Sequence, residues 1–302
     1  MVATPRVTGT CSVLRMSAAA PPVARIEPGT SIRLETADCF SDQVRGPADL
    51  DSAIDWDAAN PATGPVYIEG AKPGDVLVVE IQQILIADHG LMCTGAGWGM
   101  LGERIKQRSW RFLTIRAGEA CWPGGPSLPI KPMIGVIGVA PAGEAVSCDT
   151  PGSHGGNLDT GLIGEGATLY LPVQVRGGLL AAGDLHAAMG DGEVAVTGIE
   201  VAGEVTLQVS LRQDLALTDP LLQNDEVVAT IASAATLDAA ARMATTAMAD
   251  LLGSRLGIEL SDAVMLMSAV GQLRISQMVN PLRTARFEMP KVAYEATYGR
   301  LI

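Results

Sequence analysis

Pro73-Gly74-Asp75, followed by Val76-Leu-Val-Val-Glu-Ile-Gln-Gln-Ile-Leu-Ile86, decides the fold of this chain. Pro and Gly set a turn, and the apolar stretch after them is long enough to cross a sheet and rich in residues that suit a pleated surface. Working outward, the sequence from about Ala24 to Val209 is cut every eight to twelve residues by Gly or Pro, with short Val-, Ile- and Leu-rich pieces between. That spacing belongs to an all-β body. Further strands are expected over Ser31 to Leu34, Met133 to Val139, Thr168 to Val175, Val194 to Glu200 and Val205 to Leu211, the last two separated by a turn at Ala202-Gly203.

The texture changes after about Asp225, where Ala, Met and Leu replace Gly and Pro. Apolar residues recur at Leu237, Ala240, Ala241, Ala244, Ala247, Met248, Leu251 and Leu252, which is a helical stripe facing one way. Gly253 stands where a stop is expected, and Ser261-Asp262 is the expected N-cap of a second helix over Ala263 to Ala269. The fold class is therefore mainly β, with a β-sandwich or barrel-like body and an α+β C-terminal portion packed on it. The division expected is a loose N-terminal extension over 1–24, a β-rich catalytic body over 25–224 and the C-terminal portion over 225–302.

The 302 residues carry 21 Lys+Arg against 33 Asp+Glu, a net charge of −12, and no basic block, which argues against a nucleic-acid partner. Gly, Asp, Glu or Arg interrupts every candidate apolar run before it could span a bilayer, so no membrane partner is expected. The N-terminus lacks the continuous apolar core of a secretory signal. Five cysteines without CxxC spacing suggest neither a disulfide framework nor a zinc knuckle, and a reducing cytoplasm fits them best.

Polar groups collect in two glycine-punctuated loops. His154 lies in Thr150-Pro-Gly-Ser-His-Gly-Gly-Asn-Leu-Asp159, where the glycines leave room beside the imidazole. His186 lies in Gly183-Asp-Leu-His-Ala-Ala-Met-Gly-Asp-Gly-Glu193. Asp184 and His186 are two apart, so on a strand both project from one face, as a metal pair or an acid/base pair requires. Asp191 and Glu193 repeat the spacing, and four such groups converge if the chain folds back at Gly190. Carboxylates so close repel unless a cation or a shared proton compensates them. A third acidic stretch, Glu35-Thr-Ala-Asp38-Cys39, sets a carboxylate beside a thiol. The same residues are also ordinary in surface turns, and free cysteines are commonly buried bystanders. Gly95-Ala-Gly97-Trp98-Gly99 lacks a dinucleotide fingerprint, and no phosphate-binding P-loop occurs.

Taken in order, Glu35 to Cys39, Asn60-Pro-Ala-Thr-Gly-Pro-Val-Tyr-Ile-Glu-Gly70, Ala71-Lys-Pro-Gly-Asp75, Pro151 to Asp159, Gly183 to Glu193 and Asn280-Pro281 resemble the acetamidase/formamidase family. The resemblance covers about residues 25 to 295, and the two His loops are its specific part. It implies hydrolysis of a short aliphatic amide to ammonia and a carboxylate, a homo-oligomer, and divalent metal ions, zinc or alternatively calcium. It also brings Asp38, His154, Asp159 and His186 to the centre as metal ligands, Glu193 and Asp184 as catalytic carboxylates, and Asn157 as the residue that orients the amide.

An amide yields to water when its carbonyl is polarised, the water loses a proton and the departing nitrogen gains one. A metal supplies the first two, and a carboxylate moves the proton, Glu193 first and Asp184 second. A Glu-Lys-Cys route needs a convergent lysine, and none of Lys72, Lys106, Lys131 and Lys291 adjoins a suitable cysteine. Two alternatives stand beside this reading: a non-catalytic metal- or ligand-binding β protein, and a hydrolase of a larger or cyclic amide.

Overall fold

The computed structural model describes residues 4–51 and 54–302. Val76–Ile86 is a strand over its whole length, and its burial explains why it begins as a continuous apolar run. Leu77, Val79, Ile81 and Ile84 face the main core between two sheets, while Val76 and Val78 face a second core beneath the helices. Glu80, Gln82 and Gln83 emerge once that cover ends. A strand covered on both faces loses its alternation only where it is covered.

The first sheet runs, by strand, Arg6–Val7, Thr30–Thr36, Gly203–Arg212, Val76–Ile86, Thr168–Pro172, Leu221–Gln223, Val227–Ala234, Arg283–Pro290 and Gln272–Gln277. The second runs Ser127–Pro129, Glu119–Cys121, Ser109–Arg116, His89–Thr94, Glu200–Val201, Leu180–His186, Met133–Gly138 and Gly155–Asn157, with Ala62–Ile68 joined to Leu180–His186. The protein is mostly β with a C-terminal helical part, and among the described residues the strands form no closed barrel. The last three strands of the first sheet belong to the C-terminal portion, so one sheet runs through both parts of the chain.

Helix α1, Leu237–Leu256, lays Ala244, Met248, Leu251 and Leu252 into the second core with Phe287 and Met289. Thr236 caps its start by accepting from the Ala239 amide. The expected stop at Gly253 is not one: the Gly253 carbonyl accepts from the Gly257 amide, and Gly257 ends the helix at φ +66. Helix α2, Leu260–Val270, starts after Glu259 and not at a Ser261-Asp262 cap. No helix among the described residues is long and apolar enough to cross a membrane.

Two further expectations are corrected. Val194 to Glu200 is not a strand, because Glu193 and Val196 have φ of +47 and +84, which turn the chain out of any ladder. Only Glu200–Val201 pairs, and at Ala202 the chain leaves the second sheet for the first. The extension expected over 1–24 lies outside the described residues at 1–3, and from residue 4 on it is not loose: Arg6–Val7 pairs with Thr30–Thr36, Ser12–Val13 with Ala62–Ile68 and Arg15–Met16 with Val146–Ser147. Val7 and Met16 are buried, and such burial fixes even two-residue strands.

Candidate active site

Leu180–His186 is buried along its entire length near the middle of the second sheet, and it delivers Asp184 and His186 to one place. Asp184 Oδ1 lies 3.4 Å from His186 Nε2. On the neighbouring strand Glu200 stands opposite His186 in register, and its Oε2 is 3.2 Å from the same nitrogen. Asp159, from the loop after Gly155–Asn157, puts Oδ1 at 3.9 Å. Glu193 completes the group: one ligand atom each from Asp159, His186 and Glu193 lie within 4.8 Å of one another, as do those of Cys39, Asp184 and Glu200.

Two glycines make the space. A Cβ at Gly135 would stand 2.6 Å from both Asp159 Oδ1 and Asp184 Oδ2, and one at Gly198 would stand 2.6 Å from His186 Nδ1. Three of the acids, Asp159, Asp184 and Glu193, hold φ of +40, +53 and +47, a region that side chains with a Cβ seldom enter and that recurs at functional sites. Asn280 Nδ2 donates to Asp159 Oδ2 at 2.6 Å and to the Asn157 carbonyl at 3.1 Å. With its amide turned to satisfy its neighbours, Asn157 donates to Asp159 Oδ2 at 2.9 Å and to Asp184 Oδ2 at 3.2 Å, and accepts from Asn60.

Of the residues expected at the centre, Asp159, Asp184, His186, Glu193 and Asn157 come together. Asp191 does not join them, because Arg286 holds its carboxylate through two bonds of 2.9 Å. That pair, with the Gly192 amide donating to the Ser276 carbonyl, moors the Glu193 loop to the C-terminal strands. Asp38 turns its Oδ1 to the backbone amides of Phe40 and Asp42, both at 2.9 Å, and the next residue, Cys39, is the one whose sulfur reaches Asp184 and Glu200. His154 precedes Gly155, which pairs with Gly138, three residues along the strand from Gly135. Its ring packs between Gly152 and Gly156, and its Nε2 has no hydrogen-bond partner.

Glu200 was missed by sequence reasoning. Its signal was faint: a lone acid between Ile199 and Val201, both buried. A buried acid in that setting needs a partner.

Burial dominates the electrostatics. It pushes Glu200 up to about 8 against the pull of His186, and Asp159 up to about 6 with help from Asp184. Glu193 is raised well above the usual carboxylate range by burial and by Asp159. Burial opposes charge on His186 too, but Glu200 and Asp184 outweigh it and hold the imidazole well above its ordinary value. Asp184 falls below the usual range despite burial, because His186 faces it. Burial raises Cys39 well above the ordinary thiol value and Cys148 to about 12, so neither is an activated nucleophile.

His154 supplies a prediction on stability. Burial lowers its imidazole from 6.5 to about 4. The folded state therefore resists protonation that the unfolded state accepts, and stability present above pH 6.5 is lost as pH falls toward 4, by about 3 kcal/mol. Urea midpoints measured from pH 7 to pH 4 are expected to fall more steeply in the wild type than in His154→Gln. Equal slopes would contradict the assignment.

Buried acids gathered around an imidazole on a β scaffold are the equipment of a hydrolytic enzyme. The acetamidase/formamidase family profile matches residues 10–148 and 142–294. The chain belongs to the acetamidase/formamidase family, and with it to the amidases. It is 26% identical over 276 residues to a formamidase of Methylophilus methylotrophus, covering 70% of this chain and 67% of that one. It is 28% identical over 258 residues to an acetamidase of Mycolicibacterium smegmatis, covering 63% of each. The match thus spans about two thirds of these curated relatives' length. Among solved structures it is similar to a predicted acetamidase/formamidase from Thermoanaerobacter tengcongensis, with TM-score 0.95, 44% identity and 98% of both chains covered. An acetamidase from Bacillus halodurans superposes with TM-score 0.95 and 45% identity over 98% of this chain and all (100%) of that one.

Proposed function

We propose that the chain hydrolyses the C–N bond of a carboxamide to a carboxylate and ammonia at the cluster formed by Asp159, Asp184, His186, Glu193 and Glu200. The observation that carries this reading is the convergence of three carboxylates on His186 Nε2 within a family whose relatives are named formamidase and acetamidase.

The residues present fit a divalent cation. Asp184 Oδ1, His186 Nε2, Glu193 Oε2 and Glu200 Oε2 are all buried without a hydrogen-bond partner, which is rare for polar atoms unless something else satisfies them. Asp159, Asp184, His186 and Glu200 would hold the ion; the imidazole favours zinc, and the many oxygens leave calcium as the alternative. Such an ion supplies a Lewis acid for the carbonyl and eases the deprotonation of water. Asn157 and Asn280 fix the Asp159 and Asp184 carboxylates. Glu193, on its moored loop, takes the proton of the attacking water and returns it to the departing nitrogen, so that the C–O bond forms as the C–N bond breaks. Asp184, paired with His186, is less free to do so. Asp38 and His154 stand outside this assignment.

A reducing cytoplasm and a homo-oligomer complete the proposal, the former supported by five free cysteines. The test is ammonia release by purified protein from a panel of amides, together with elemental analysis. A chelator is expected to abolish turnover and zinc to restore it. Bound metal that raises the melting temperature without any turnover would favour a non-catalytic binding protein instead.

A further inference from the structure

We propose that the Cys39 thiol is a metal ligand, seating a thiophilic divalent cation of the zinc class together with Asp184 and Glu200, and that this sulfur makes the site reject calcium. This rests on the metal-bearing cluster proposed above, in which Cys39 has no part.

Cys39 Sγ and one oxygen each of Asp184 and Glu200 lie within 4.8 Å of one another, and all three residues are buried. A sulfur about 2.3 Å and oxygens about 2.0–2.2 Å from one ion fit within that span. The two acids point to a cation independently of the thiol: Asp184 Oδ1 and Glu200 Oε2 are buried without a hydrogen-bond partner. Buried oxygens left so are rare, and a cation satisfies both at once. Cys148, another buried thiol, is used differently, its Sγ donating to the Val13 carbonyl at 3.4 Å.

The chain builds the position of Cys39 from both sides. Asp38 Oδ1 accepts from the amides of Phe40 and Asp42, Asp42 Oδ1 accepts from the Asp38 amide at 3.0 Å, and the Asn60 amide donates to the Cys39 carbonyl at 2.7 Å. Ser41 and Asp42 hold φ of +56 and +55, left-handed values that recur at functional sites. Phe40 packs behind the turn against Trp110 and among Val44, Leu91 and Cys93, so the backbone that carries the sulfur is locked. Cys39 also lines a cavity of about 470 Å³ that reaches Trp56, which is 42% exposed, and this gives an ion its way in.

A thiolate is a soft ligand that suits zinc, whereas calcium takes oxygens. On binding, the S–H bond breaks as the sulfur–metal bond forms, and the proton leaves to solvent.

The test titrates chelator-stripped protein with Co²⁺ alone. A thiolate-to-cobalt charge-transfer band in the near ultraviolet is expected for the wild type and for Cys121→Ser, whose thiol lies beside Ser127 on the outer strands, and no such band for Cys39→Ser. Zn²⁺ is expected to bleach the wild-type band, and Ca²⁺ in large excess to leave it unchanged. Zinc affinity is expected to fall by about a hundredfold or more in Cys39→Ser, since even a partner behind a ligand contributes up to that. Cys39→Asp, which offers oxygen in place of sulfur, is expected to bind cobalt without the band and to admit calcium, and it decides the matter should the serine variant not fold. Cobalt bound by the wild type without the band, a band that survives in Cys39→Ser, or calcium that displaces cobalt from the wild type overturns this inference and leaves the metal-bearing cluster standing. Failure to bind cobalt, zinc or calcium overturns that cluster, and this inference with it.

Discussion

Glu193→Gln is expected to lower kcat for amide hydrolysis by about 10²- to 10⁴-fold, the range that a positioned proton carrier contributes, with KM changed only a few-fold. The side chain is buried, and burial with the neighbouring Asp159 raises its carboxyl well above the usual carboxylate range, which makes it a ready acceptor of a proton. Gln has the same shape, so the packing around it is kept, and the melting temperature is expected to stay within a few degrees. What Gln lacks is a carboxylate oxygen that can take a proton from water and give it back. Metal content measured in parallel separates this role from ligation: a variant that keeps its metal and its fold yet loses turnover has lost the proton carrier. Unchanged kcat would remove Glu193 from the mechanism and leave Asp184 as the remaining candidate.

Gly135→Ala is expected to damage the proposed site more than the addition of one methyl group suggests. The added Cβ would lie 2.6 Å from Asp159 Oδ1, 2.6 Å from Asp184 Oδ2 and 2.9 Å from the Asp184 carbonyl. None of these is the loose end of a mobile side chain. Asn280 and Asn157 hold Asp159, and Asp184 lies within a wholly buried strand. Overpacking of this kind costs roughly 1–3 kcal/mol or more, and in a chain of this length that is a fall of several degrees in melting temperature. Turnover is expected to vanish, because the two carboxylates must part. Gly143→Ala is the control: a Cβ there meets nothing within 4 Å, and no change beyond about 0.5 kcal/mol is expected. Thermal melts of the two variants decide the matter, and equal melting temperatures would refute the packing account.

The parts of the fold and site that were legible in the sequence were those encoded locally. Val76–Ile86 announced itself because a turn and an apolar run adjoin, and α1 because its stripe repeats over five turns. Asp184, His186 and Glu193 lie within ten residues of one another, and Asp159 closes the other glycine-rich loop, so their neighbourhood was visible. What was illegible depended on pairing across distance. Glu200 matters only because it is the register partner of His186, a fact of two strands and not of one. The sequence drew attention to Asp38, but the local turn hands the inward position to Cys39. Two loops with similar glycine patterns looked equivalent, yet the His186 loop feeds the cluster while His154 lies about three residues further along the shared strand partner. Left-handed backbone at Glu193 and Val196, which removed an expected strand, leaves no trace in residues that ordinarily favour other conformations.

The left-handed acids carry a consequence for how this enzyme would respond to selection. Asp159, Asp184 and Glu193 hold their conformations only because the surrounding sheet and loops impose them, each at a cost of order 1–3 kcal/mol. Glycine at any of them would relax the chain and remove a carboxylate of the proposed site in the same step. A screen that rewarded heat resistance alone would therefore find its easiest gains at these positions, and its survivors would be sturdier proteins without catalysis.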